Sequence, residues 1–225
     1  MIYERDPEAI YRKSFEIVRA ESDLSRLSED NADIAVRIIH ACGMAEAGKS
    51  LIFSADCASA GRSALEAGAA VVCDSRMVAG GVSRDLLPAG NPVVAAIEDP
   101  GAARLAAETG TTRSAAAFEL LKRELEGAIV AIGNAPTALF KLLELIDSGI
   151  PRPALVVAMP VGFVGAAESK AELASDPRGL PFVTLPGRLG GSAMAAAAVN
   201  AISASASRKK AESDVANVRN GSHSP

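Results

Sequence analysis

The apolar positions of this chain fall into two kinds of run, and the two kinds alternate. DPEAIYRKSFEIVRAE sets Ile10, Phe15, Ile17 and Val18 on one side of a helix, with Asp6 as its cap and Pro7 in its first turn, which predicts a helix over residues 7–22. NADIAVRIIHAC repeats the spacing with Ile34, Ile38 and either Val36 or Ile39, behind Asp30 or Asn31 as cap, and predicts a second helix over 30–41. The other kind of run is short and apolar throughout: LIFS, AAVVCDS, PVVAAI, AIVAIGN, RPALVVAMP and PFVTL. Such runs lack the in-out alternation of a half-buried strand and predict strands covered on both faces. Helical patterns separate them, in DCASAGRSALEAGA, DPGAARLAAETG, TRSAAAFELLKRELEG, APTALFKLLELIDSG, GAAESKAELAS and GGSAMAAAAVNAISA.

Strands joined through helices imply parallel crossovers. The expected fold is therefore α/β, a three-layer sandwich in which helices flank a mainly parallel central sheet. One domain over residues 1–206 accounts for the pattern; residues 207–225 have no periodic apolar face and read as a disordered polar tail. In sheets of this kind a ligand sits beyond the carboxyl ends of the strands, in the loops that lead into the next helix.

Composition narrows the function classes. The 225 residues include no Trp and 4% aromatics, which disfavours a stacking nucleic-acid binder. The net charge is −4; the last nineteen residues carry four cations against two carboxylates, so residues 1–206 hold −6 and no general basic field. Any anion must be bound locally. Cys42, Cys57 and Cys73 fit neither a disulfide framework nor a zinc site and read as reduced, partly buried thiols. The charged N-terminus MIYERDPEAIYRKS is no secretory signal, and no run reaches the ~20 apolar residues of a membrane span. A cytoplasmic location without nucleic-acid or membrane partners is expected.

GMAEAGKS, from Gly43 to Ser50, satisfies the Gly-x-x-x-x-Gly-Lys-Ser pattern of a phosphate-binding P-loop. The pattern works only between a strand and a helix, whereas here a helical run precedes it and LIFS follows it. A glycine-closed helix end with a polar turn is the expectation, and nucleotide binding through Lys49, Ser50 and Asp74 is the remote alternative.

Three strand ends are built alike, namely AIGNAPTALF (131–140), VVAMPVGFVGAAESK (156–170) and TLPGRLGGSAMAAAAVNA (184–201). Each strand breaks into Gly and Pro before a helix opens on small or hydroxylated residues, so backbone N–H groups converge where carboxylates or phosphates could bind. With GTTRSAAAFELL, IIHACGM and VVCDSRMVAGGVSR, these segments resemble, in content and chain order, the precorrin-8X methylmutase (precorrin isomerase) family over roughly residues 5–203.

The resemblance implies an isomerase of cobalamin biosynthesis that shifts a methyl group from C-11 to C-12 of precorrin-8X to give hydrogenobyrinate. It implies no cofactor, a corrinoid (tetrapyrrole) substrate, and a homodimer with clefts at or near the subunit interface. It also implies His40 as the proton donor and Ser14 and Arg113 as substrate-site residues. The residues suit these roles. His40 and His223 are the only histidines, and His223 lies in the tail; an unperturbed imidazole titrates near pH 6.5 and can give and recover a proton, an acid effect worth about 10²–10⁴ in rate. Arg113 at a helix start opposes the dipole unless an anion compensates, and bidentate carboxylate pairing would. Ser192 is placed to cap the last helix and present its amides to a carboxylate, with Arg188 as a nearby cation. At Leu189 the sequence departs from the basic residue that the resemblance leads one to expect in this loop, so that one carboxylate contact is either missing or moved to Arg188. The family also includes cobalt-precorrin-8 enzymes of the anaerobic branch, the nearer alternative, and a non-catalytic tetrapyrrole carrier is a further one.

Overall fold

A computed structural model describes residues 3–221; His223 lies outside them. Helix α1 (Pro7–Glu21) opens as the sequence indicates, with the Asp6 carboxylate accepting from the Glu8 amide at 3.0 Å. Helix α2 (Glu29–Cys42) starts a residue earlier than expected, because Ser28, and not Asp30 or Asn31, caps it by accepting from the Asn31 amide. It ends on Gly43 in the left-handed region (φ 70°), whose N–H returns to the Ile39 carbonyl. A 3-10 turn (Ala45–Lys49) leads into β1 (Ile52–Phe53). Then follow α3 (Cys57–Glu66), β2 (Val71–Cys73), α4 (Arg76–Gly81), β3 (Val93–Ala95), α5 (Ala102–Thr109) and α6 (Arg113–Leu120). The chain continues through β4 (Ile129–Ile132), α7 (Pro136–Asp147), β5 (Leu155–Ala158), α8 (Ala166–Ser175), β6 (Phe182–Thr184) and α9 (Ser192–Gly221).

The six strands form one sheet in the order β1-β6-β5-β4-β2-β3, parallel except for β1, which runs antiparallel to β6 at the edge. Side chains of the central strands alternate between two cores. Val71, Ile129, Leu155 and Val183 pack among α2, α3, α4 and α9, whereas Val72, Val130, Val156 and Phe182 pack against the layer of α5 to α8. Both faces are thus covered, which is why these strands read as unbroken apolar runs. The three-layer α/β sandwich is the fold the sequence implies.

Three local expectations differ from the structure. The helix expected over 112–127 stops at Leu120, because the chain must turn Leu125 into the core before β4. The unforeseen α4 contains Gly80 and Gly81, poor helix formers, but a Cβ on Gly81 would stand 2.7 Å from that of Ala196, so the glycine lets α4 lie against α9. Helix α9 continues through most of the segment read as a tail. There the helix is propagated from a packed first half and needs no new nucleus.

Candidate functional site

Parallel connections leave β2 in one direction toward β3 and in the other through β4, β5 and β6, so the strand order reverses between β2 and β4. Crevices at such reversals take ligands. The loops at the carboxyl ends of the strands are fastened to each other here. Asp74, buried just past β2, accepts from the amides of Gly133 (3.0 Å), Asn134 (2.9 Å) and Ala135 (2.7 Å), holding the loop that opens α7. Burial pushes its carboxyl up and these three donors oppose the shift. Both oxygens are therefore engaged by backbone.

Gly190 lies against the next loop: a Cβ there would press on the carbonyl oxygen of Met159 and stand 2.6 Å from that of Pro160. The Gly191 amide donates to Met159 O at 2.8 Å and the Gly162 amide to Arg188 O at 3.2 Å. Loops 159–165 and 186–191 thus form one unit. Its outer surface carries the Arg188 guanidinium stacked 5.2 Å from the Phe163 ring, beside Val164 (88% exposed) and Leu189 (50% exposed). Ser192 is the first residue of α9, not its cap, and its hydroxyl faces that of Ser75 at 3.5 Å.

His40 stands at a second place on the same end of the sheet. Asn31, near the start of α2, donates to the carbonyl of Ser54, whose own amide and hydroxyl bond Phe182 at the beginning of β6. Helix α2 therefore runs from the amino end of the sheet toward the carboxyl end and delivers His40 there. Helix α1 crosses it, and Ser14 Oγ lies 2.8 Å from His40 Nδ1. Tyr11 and Phe15 flank the imidazole at centroid distances of 5.5 and 5.3 Å, Phe15 edge to face. Beside this cluster opens a cavity of about 390 Å³ lined by Ile10, Lys13, Ser14, Ile17, Ile39 and His40 among others.

The structure joins Ser14 to His40, and Arg188 and Ser192 to the glycine-rich floor, but within one chain it does not bring Arg113 to the histidine. Arg113 opens α6 in the opposite helical layer and donates to the Ile97 carbonyl at 2.9 Å. It does face the carboxyl end: Thr112 Oγ1 bonds Thr137 Oγ1 in the first turn of α7, the helix that follows β4. GMAEAGKS is a helix cap, a 3-10 turn and the approach to an antiparallel edge strand, with no helix after Lys49 and Ser50 to receive phosphate. Asp74 is engaged by three amides. The P-loop geometry is absent from these residues.

Sequence reasoning does not single out Tyr11 and Phe15, although their spacing around Ser14 already places all three on one face of α1. It also misses Lys13, next to Ser14, and Lys170. The last is a buried lysine on α8 (1% exposed) that donates to the Leu189 carbonyl, its pKa pushed down by burial to about 8. Cys57 and Cys73 are buried, with pKa values raised to about 12, mainly by desolvation, and are inert as nucleophiles.

The architecture is that of an α/β enzyme with a histidine-bordered cavity and glycine-rich loops at the carboxyl end of a mainly parallel sheet. The chain belongs to the precorrin-8X methylmutase family, whose profile matches residues 9–205. It is 58% identical over 200 residues to the precorrin-8X methylmutase of a Sinorhizobium species, covering 89% of this chain and 95% of that one. The Pseudomonas aeruginosa precorrin-8X methylmutase is 56% identical over the same share of this chain and 96% of its own. The cobalt-precorrin-8 methylmutase of Priestia megaterium is 40% identical, covering 88% and 87%. The crystal structure of the precorrin-8X methylmutase from Thermus thermophilus superposes with a TM-score of 0.82 at 38% identity, over 90% of this chain and 97% of that one.

Proposed function

We propose that this chain moves a methyl group from C-11 to C-12 of precorrin-8X, giving hydrogenobyrinate, with His40 as the proton donor. The isomerase role in cobalamin biosynthesis follows from the family. One observation supports the histidine's part: Nδ1 is engaged by Ser14 at 2.8 Å while the ring borders the cavity. In the imidazolium, Nδ1–H donates to Ser14 Oγ and Nε2–H is left for the substrate.

Protonation of the macrocycle draws electron density from the conjugated system, the methyl migrates, and the proton returns to His40. Substrate and product contain the same atoms and electrons, so the step consumes no co-substrate. Arg188, and Lys13 beside the cavity, are suited to peripheral carboxylates of the tetrapyrrole. Arg113 enters the same site if a second copy of the chain brings its α6 to the cleft. Two features support a homodimer: α1 buries no residue in the single chain, and its Ile10 and Ile17 stay 44% and 45% exposed. The metal-free substrate is favoured over the cobalt form by 58% and 56% identity to enzymes named for it, against 40% to the Priestia enzyme. A cytoplasmic setting agrees with three free thiols, and among the described residues no helix is long and apolar enough to cross a membrane.

The test is an absorbance time course with precorrin-8X and cobalt-precorrin-8, each in excess, for wild type and His40→Ala. Repeated conversion of precorrin-8X by wild type, with a variant that binds and stalls, is expected. Binding of the macrocycle by wild type with no conversion would indicate a carrier, and equal turnover by the variant would remove His40 from the chemistry.

A further inference from the structure

Two charged side chains are fully buried among the described residues, Asp74 and Lys170, and both serve loops at the carboxyl ends of strands. Asp74 has three amide partners. Among the described residues Lys170 has one recorded acceptor, the Leu189 carbonyl, and no carboxylate within ion-pairing distance. An ammonium removed from water with so little compensation is unfavourable for the fold, as its lowered pKa of about 8 also reflects. An apolar residue would fill the same volume without that penalty.

The acceptor's position shows what the arrangement accomplishes. Leu189 lies between Arg188, whose carbonyl receives the Gly162 amide, and Gly190, which is pressed against the Met159 and Pro160 carbonyls. Lys170 fixes the centre of this loop from beneath, and the loop above it displays the Arg188 guanidinium on Phe163. We infer that Lys170 is a positioning residue: it sets the 186–191 loop so that Arg188 stands where a carboxylate of the substrate is received. This rests on the reading that the floor takes a carboxylated tetrapyrrole.

The experiment combines a double-mutant cycle with hydrogen exchange on the full chain. Lys170→Met and Arg188→Ala are compared singly and together for KM and kcat with precorrin-8X. Backbone exchange of peptides spanning 159–165 and 186–194 is followed without substrate. The expected result is faster exchange confined to those peptides, a tenfold or larger rise in KM for Lys170→Met with kcat within a few-fold, and no further rise when Lys170→Met is added to Arg188→Ala. An equal KM increase in both backgrounds, or unchanged kinetics with a lowered melting point only, would overturn the role. Should Lys170→Met not fold, Lys170→Gln, which keeps a donor, is expected to give an intermediate KM; a KM at the wild-type value would count against the inference. If wild type does not convert precorrin-8X, the functional reading fails, while the exchange data still decide whether Lys170 holds the loop.

Discussion

The floor of the site and its histidine wall are built on different physics. Along the floor, buried charges and glycine contacts lock the loops: Asp74 takes three amides, Gly190 leaves no room for a methyl, and Lys170 holds Leu189. His40 itself sits at the end of α2, and the outer wall beside it is one helix, α1, with no buried residue, resting on α2 through Phe15, Val18 and the Ser14–His40 bond. Rigid loops can place peripheral contacts before the substrate arrives, which lowers the entropic cost of orientation. A thin wall leaves His40, the proposed proton donor, exposed toward the cavity.

The sharpest way to separate the two regions is to remove chemistry without removing structure. His40→Ala is expected to lower turnover by about 10²–10⁴. Its side chain is exposed, so the denaturant midpoint should shift by no more than about 0.5 kcal/mol equivalent. A large loss of stability in this variant would mean that the wall, too, is a packed structural element.

Gly190→Ala should do the converse. Its Cβ would stand 2.6 Å from the Pro160 carbonyl oxygen and press on that of Met159, and backbone atoms cannot rotate away, so loop 186–191 must shift as a whole. Overpacking of this kind costs about 3 kcal/mol, a fall in melting temperature of roughly 6–12 °C for a domain of this size. A melting point unchanged within a degree would show that the floor is softer than its contacts indicate.

Ser14→Ala should have a smaller effect, about a tenfold loss in kcat, since a hydrogen bond to a charged group contributes about 1.5–3 kcal/mol and partial exposure reduces it. Stability should hardly change. Turnover equal to wild type would show that the imidazole is oriented by Tyr11 and Phe15 alone.

These regions also differ in how legible they are in the sequence. The sheet can be read because Val71–Cys73, Ile129–Ile132 and Leu155–Ala158 are apolar without interruption, and burial on both faces leaves no other sense for such runs. His40 can be found because the domain offers no second imidazole. Lys170 cannot, since nothing in GAAESKAELAS distinguishes a lysine turned inward beneath a loop from one in solvent. The length of α6 is hidden for a related reason: LLKRELEG has good helix formers throughout, and only the tertiary need to bury Leu125 ends the helix. The separation of Arg113 from His40 is likewise beyond reach, because chain order does not reveal that the sheet lies between their helices.

The last expected effect is a dependence on pH, and it concerns the floor. The folded-state pKa of Lys170 is lowered to about 8, whereas an unfolded lysine titrates near 10.4. Between those values the unfolded chain binds more protons, so the Lys170 contribution to stability rises as pH increases from about 8 to about 10.5 and is lost as pH falls back through the folded pKa. Lys170→Met lacks this titration, and every other group cancels in the difference between the two proteins. Urea unfolding of both at pH 7, 8.5 and 10 should therefore show the difference moving in favour of wild type as pH rises, with the variant comparatively better off at pH 7. A difference that stays level across this range would mean that the lysine is solvated in the folded protein and that the floor does not confine its charge.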